Sequence, residues 1–136
     1  MSDTAFKVFV YGTLKPGGYY WSQFCADKVS GAVPAQIKGL IYDLHVGYPG
    51  VQMGGNRWVQ GYLLSFKNEV DLLQLDGLEG YQHGRSTKEN EYQRRPVNCY
   101  SSDGKILTKA WAYEMAKTRI AEMGGTLIAS GDWGVS

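Results

Sequence analysis

The sequence predicts an α+β fold, a small mixed β-barrel with short flanking helices, and three observations carry that prediction. An early run, "AFKVFVY" at residues 5–11, alternates so that both of its faces are largely apolar, the pattern of a central strand buried on two sides. Glycine is abundant, at 18 residues, and aromatic residues make up 13% of the chain, a combination that suits turns and strands better than a helical bundle. The third observation is order: strand, short helix, strands, one compact helix, then a hairpin, with no repeat or linker to divide a single domain over residues 1–136. At 43% hydrophobic and 20% charged residues, 136 residues can supply one core and stand far from the composition of a disordered chain.

Each element has a local reason. In the first strand Phe6, Val8 and Val10 alternate with Lys7, Phe9 and Tyr11, and the run stops at Gly12. "TLKPGG" is a turn-rich loop, and the aromatic spacing of "YYWSQFCADK", residues 19–28, suits a short helix. Residues 33–45 and 57–66 are β-rich, and the four glycines and one proline in residues 46–56 predict a loop between them. Asn68 is placed to cap a helix over residues 69–79 that Gly80 should end at C′. Residues 91–100 and 106–115 read as strands joined by "SSDGK", whose Asp-Gly pair signals a hairpin. The tail from Arg119 onward is short and interrupted by glycine, and predicts no definite element.

Charge and composition narrow the partners. The net charge is +1, and Arg94 and Arg95 are the sole adjacent basic pair, so the sequence points away from nucleic acid and acidic membrane surfaces. Cys25 and Cys99 are isolated thiols without CxxC spacing. The opening "MSDTAFKVFVYG" lacks a basic segment followed by a long apolar one, and no window approaches the ~18 apolar residues of a membrane span. A soluble, cytoplasmic protein is therefore expected, of undetermined oligomeric state. His45 and His83 lie in unrelated loops without ligand spacing, and no GxSxG, GxGxxG or GxxxxGK[ST] motif occurs, so neither a metal nor a cofactor is expected. Carboxylates and backbone remain as the tools of any chemistry.

Two places stand out. In "YGTL", residues 11–14, a buried strand ends at a glycine where the main chain can be approached closely; successive N–H groups at such a bend can cradle a carboxylate, or the bend is only a turn. Glu79 ends the compact helix in line with Leu72 and Leu75, away from Asp71 and Gln74. Partial burial and the negative end of the helix dipole both raise a carboxyl pKa, which suits proton transfer, although a solvated helix-end glutamate has the same address. Tyr92 and Arg94 share one strand face, and either a pocket role or simple core and edge packing fits them. Tyr113 carries the same two readings.

Taken in order, "VFVYGTLKPG", "YPGV", "VQGYLLSF", "LDGLEGY", "EYQRRPV", "AWAYEM" and a terminal "GDW" resemble the γ-glutamylcyclotransferase-like superfamily, including γ-glutamylamine cyclotransferases and plant avirulence-induced-gene proteins. The resemblance implies the small mixed β-barrel and a cofactor-free reaction, in which the α-amine of a γ-glutamyl substrate attacks its own γ-carbonyl and releases an amine and 5-oxoproline. It assigns Glu79 as catalytic acid/base and Tyr11, Gly12, Thr13 and Leu14 as the substrate cradle; Tyr92 and Tyr113, on the residue reading alone, are the further candidates for substrate binding. Relatives commonly carry a Gly-Glu-Leu-Tyr type run where this chain has "GYLL" at residues 61–64, and the insert "QHGRSTKENE" is longer than the resemblance implies. A binding protein for an acidic metabolite on the same fold is the alternative reading, and a γ-glutamyl transfer or deprotection step in biosynthesis is a third.

Overall fold

A computed structural model describes residues 7–82 and 90–134 of the chain. Among these residues, six strands and three helices form a mixed α+β fold. The first strand, β1 (Lys7–Val10), pairs antiparallel with β3 (Pro49–Phe66) and parallel with β5 (Ile106–Glu114) at Val8 and Trp111. Its alternation has the expected effect on packing. Val8 and Val10 enter one apolar cluster with Leu64, Leu72 and Leu75, while Phe9 and Tyr11 enter a second with Ile37, Val59 and Ala112.

The rest of the sheet surrounds that strand. β2 (Val29–Asp43) runs antiparallel to β3, and β4 (Gln93–Tyr100) runs antiparallel to β5 through the hairpin at residues 101–105. The strand order is β3, β1, β5, β4, β2 and then β6 (Thr126–Leu127), and the β2–β3 pairing returns the order to its start. Three helices, α1 (Trp21–Phe24), α2 (Glu69–Leu78) and α3 (Lys117–Glu122), follow β1, β3 and β5. Leu72 and Leu75 fix the buried face of α2, whereas Val70 and Leu73 are exposed. No helix among the described residues is long and apolar enough to cross a membrane.

Several local expectations are corrected. Most of the loop expected at residues 46–56 is strand, because β3 begins at Pro49. The register passes from Lys38 opposite Trp58 to Gly39 opposite Met53, so residues 54–57 are accommodated as a bulge in which Gly54 and Gly55 have φ of 103° and 85°. Glycine there serves an interruption within a strand rather than its end. The helix expected over residues 19–28 contracts to the four residues of α1, with Cys25 buried behind it. Asn68 is extended before α2 but its side chain makes no capping bond. The tail forms α3 and β6, with Gly125 set so close to Ile120 that a Cβ would lie 2.7 Å from its Cγ2.

One close approach holds the centre together. A Cβ at Gly61 would collide with the Val10 carbonyl oxygen and lie 2.7 Å from Cζ of Phe9. Gly61→Ala should therefore lower stability by about 3 kcal/mol, the upper end of the usual overpacking cost. Urea unfolding checks this as a fall in midpoint at constant slope.

Candidate active site

The C-terminus of α2 is built to hold Glu79 in place. Gly80 adopts φ 66°, which an L side chain rarely tolerates, and the Tyr81 N–H donates to the Asp76 carbonyl at 2.9 Å while the Gly80 N–H donates to that of Gly77 at 3.3 Å. This is the glycine stop predicted from "LEGY", in its Schellman form. Glu79 is the last residue before it, with its N–H on the Leu75 carbonyl at 2.9 Å. The half-buried Glu79 side chain lines an open cleft of about 140 Å³.

The bend after β1 borders the same cleft. Tyr11, Gly12, Thr13 and Leu14 all line it, as do Tyr92 and Tyr113, so the structure brings every sequence-predicted site residue to one cavity. The bend is tied by the Lys15 N–H to the Gly12 carbonyl and the Tyr20 N–H to the Thr13 carbonyl, at 3.1 and 2.9 Å. Lys15 Nζ reaches the tail at Asp132 and the Trp133 carbonyl, 3.1 and 2.8 Å away. Among the described residues the N–H groups of Thr13 and Leu14 meet no acceptor, which leaves them for a ligand. Gly12 has a second reason to lack a side chain: a Cβ there would lie 2.8 Å from Cδ of Pro49. The space the sequence reserves for a ligand at that atom is filled by the protein's own ring.

The tyrosines are committed hydrogen-bond donors. Tyr11 donates to the Tyr113 carbonyl and Tyr92 to the Pro49 carbonyl, both at 2.6 Å, and Tyr113 donates to Asp76 Oδ1 at 2.7 Å. Tyr48, which the sequence reading did not single out, donates to Glu91 Oε2 at 2.6 Å. Burial raises the phenols of Tyr11, Tyr92 and Tyr113 well above their ordinary range, and the bond to Glu91 pushes Tyr48 up to about 12. None of them serves as a base near neutrality. Tyr92 thus fills core with its hydroxyl satisfied, and Tyr113 reaches the helix.

Behind Glu79 stands a polar group that the sequence reading missed. Asp76 Oδ2 accepts Arg94 Nη1 at 2.9 Å, and the guanidinium lies over Trp111 at 4.8 Å and Tyr81 at 5.5 Å. Arg94 is therefore turned inward onto the helix rather than outward to the sheet edge. The available signal was Asp76 itself, one helical turn after Leu72 on the apolar face. Glu91 was also missed; its N–H donates to the Gly80 carbonyl at 3.0 Å, which sets its carboxylate on the same wall as Glu79. Burial, and then the negative charges of Glu91 and Asp76, push the Glu79 carboxyl up to about 8. No three His, Cys, Asp or Glu side chains among the described residues converge as a metal ligand set. Within the insert, residues 83–89 lie outside the described residues.

The raised pKa of Glu79 has a consequence for stability that is independent of any activity. Its ordinary value is 4.5 and its folded value about 8, so the native state holds this proton more tightly than the unfolded chain does. The stabilisation is complete below the unfolded value and is lost as pH rises through the folded one. Glu79→Gln cannot ionise, so its melting temperature should gain on the wild type between about pH 4.5 and 8 and then run parallel. Thermal melts of both proteins across that range check the prediction; a constant difference would show that Glu79 titrates normally.

Comparison with known proteins now bears on this geometry. A family model described as "Gamma-glutamyl cyclotransferase, AIG2-like" matches residues 8–135. No curated protein matches the chain. Among solved structures, YkqA from Bacillus subtilis is similar at 24% identity and a TM-score of 0.66, over 93% of this chain and 39% of that one. The chain thus spans well under half of the Bacillus protein. A protein of Arabidopsis thaliana solved in solution is 23% identical with a TM-score of 0.65, over 90% of this chain and 78% of its own. An AIG2-like protein from Mus musculus is 20% identical with a TM-score of 0.58, over 81% and 76% of the two chains. These likenesses show the fold, and the family match, which runs from β1 through the tail and takes in Glu79 and the bend it faces, shows that the chain belongs to the AIG2-like gamma-glutamyl cyclotransferase family.

Proposed function

We propose that this protein is a γ-glutamyl cyclotransferase that converts a γ-glutamyl-amine or γ-glutamyl amino acid into 5-oxoproline and the free amine. The observation that carries the reading is the placement of Glu79, with its raised pKa, on the same cleft as the Thr13 and Leu14 amides, which meet no acceptor among the described residues. Family membership supports a cyclotransferase-type function in general terms. We read the circuit of strand pairings as a closed small barrel and the chain as one domain, a rigid frame for the two sides of the cleft.

In this reading the substrate's α-carboxylate rests on the Thr13 and Leu14 N–H groups. Glu79 accepts a proton from the α-ammonium, freeing the nitrogen lone pair to attack the γ-carbonyl carbon and form the ring C–N bond. As the amide C–N bond breaks, Glu79 returns the proton to the departing nitrogen, and the second proton that the ring nitrogen sheds on becoming the lactam N–H ends on the free amine as its ammonium. The electron pair of the broken bond leaves with the amine, and neither water nor an oxidant is consumed. Holding nucleophile and carbonyl in a ring-closing pose supplies much of the acceleration. Tyr11, Tyr92 and Tyr113 shape the glutamyl end, their protons already committed to the protein.

A panel of γ-glutamyl compounds assayed for 5-oxoproline release tests the reaction itself. On any compound that is turned over, Glu79→Gln should retain binding and lose roughly two to four orders of magnitude in kcat. The acid limb of kcat/KM should fall near pH 8, the value of Glu79 in the free protein, because the base must be ionised. The corresponding limb of kcat should lie lower, since a bound α-ammonium pairs with the carboxylate and favours its ionised form. Near-normal turnover by the variant would sink the assignment of Glu79.

A further inference from the structure

We propose that Lys15 is a positioning residue for the carboxylate cradle, and that through Asp132 and Trp133 it makes the tail at residues 128–134 part of the binding apparatus. The inference rests on the cyclotransferase reading, in which the Thr13 and Leu14 amides receive the substrate's α-carboxylate. Lys15 itself does not line the cleft. Its main chain closes the bend: the Lys15 N–H donates to the Gly12 carbonyl at 3.1 Å, which makes residues 12–15 a four-residue turn with Thr13 and Leu14 at its centre. The Lys15 carbonyl in turn accepts the Gly18 N–H at 2.7 Å. Its side chain is withdrawn from water to 12% exposure, a burial that lysine rarely accepts without a partner. The partners are Asp132 Oδ1 and the Trp133 carbonyl, both in the tail.

The tail gives that tie a fixed reference. The Ile128 N–H donates to the Ile41 carbonyl of β2 at 2.9 Å, and the Gly131 carbonyl accepts the Gln60 N–H of β3 at 2.8 Å. Gly131 is buried with φ 77°, and a Cβ there would collide with the Trp58 carbonyl oxygen, so main chain packs directly on main chain. Trp133 joins the second apolar cluster, and its Cε3 stands 4.0 Å from the place a Cβ of Gly12 would take. The tail therefore meets the first and the last residue of the turn and leaves the two central amides to the cleft. A turn gripped at both ends holds its central peptide planes still, and two N–H groups already aimed at one point bind a carboxylate without the cost of ordering them. Asp132 balances the ammonium, so Lys15 serves as a tie rather than as a charge offered to the substrate. The "GDW" run at residues 131–133, which has no part in the proton transfers, finds its role here.

The test uses 5-oxoproline as a probe, because the product keeps the α-carboxylate, and 5-oxoprolinamide as its uncharged counterpart. Amide NMR spectra should show the Thr13 and Leu14 signals moving as 5-oxoproline is titrated into the wild type. Lys15→Met keeps much of the side-chain length and loses the tie; it should weaken 5-oxoproline by about tenfold, within the range that lost positioning costs, and change 5-oxoprolinamide little. The difference between the two probes isolates the coupling of Lys15 to the carboxylate, since a general loosening of the fold weakens both alike. Asp132→Asn, at an exposed position, supplies a second variant: weaker 5-oxoproline is expected from a loosened tie, whereas an ammonium acting by its charge would bind the anion more tightly. On a γ-glutamyl compound that is turned over, Lys15→Met should lower kcat/KM with the acid limb unmoved, because Glu79 keeps its surroundings. An equal loss for both probes, no loss for either, or tighter binding by Asp132→Asn overturns this proposal alone. Failure of 5-oxoproline to move the Thr13 and Leu14 signals overturns the cradle and this proposal with it, and failure of every γ-glutamyl compound to release 5-oxoproline overturns the cyclotransferase reading on which both stand.

Discussion

The structure depends above all on the buried pairing of Asp76 with Arg94 and Tyr113. One carboxylate oxygen takes the guanidinium of β4 and the other takes the phenol of β5, so a single side chain joins α2 to two neighbouring strands. Both members of the ion pair are largely withdrawn from water, with side-chain exposures of 12% and 15%. Removing one partner of such a pair typically costs about 3–5 kcal/mol, because the other stays buried and uncompensated. The helix is thereby fixed in rotation as well as position. That matters because the catalytic candidate is the next-but-two residue along it.

The arrangement also sets the electrostatics. Asp76 keeps its countercharge, yet its negative charge still acts on Glu79, as does that of Glu91 on the other side. Burial contributes most, and the two neighbouring acids add to it. The surrounding phenols cannot relieve the strain on Glu79, because each donates its proton to a main-chain carbonyl or to another carboxylate. The cleft therefore offers donors at the β1 bend and acceptors at the α2 terminus, a polarity that suits a zwitterion lying across it.

Much of this was legible in the sequence where a residue's reason is local. The two-faced burial of β1, the Gly80 stop and the Asp-Gly hairpin follow from alternation and turn chemistry, which need no knowledge of the rest of the chain. The family signature added the grouping of Tyr11, Gly12, Thr13, Leu14 and Glu79, residues far apart in sequence. What could not be read was non-local. The glycines at 54 and 55 look like a loop until β2 supplies a partner whose register demands a bulge. Asp76, Glu91 and Tyr48 gain meaning only when three segments converge on the end of α2, and the room that Gly12 spares is taken by Pro49.

The closure between Gln82 and Asn90 has a consequence of another kind. The buried Asn90 side chain accepts the Gln82 N–H at 3.0 Å and donates to the Gln82 carbonyl at 3.3 Å, imitating a pair of strand hydrogen bonds. Glu79 and Glu91 lie just outside this clasp, each anchored through Gly80. The clasp holds Gln82 and Asn90 together beside the two carboxylates. A side chain folded onto main chain thus does at this edge of the cleft the work of a strand pair without a second strand.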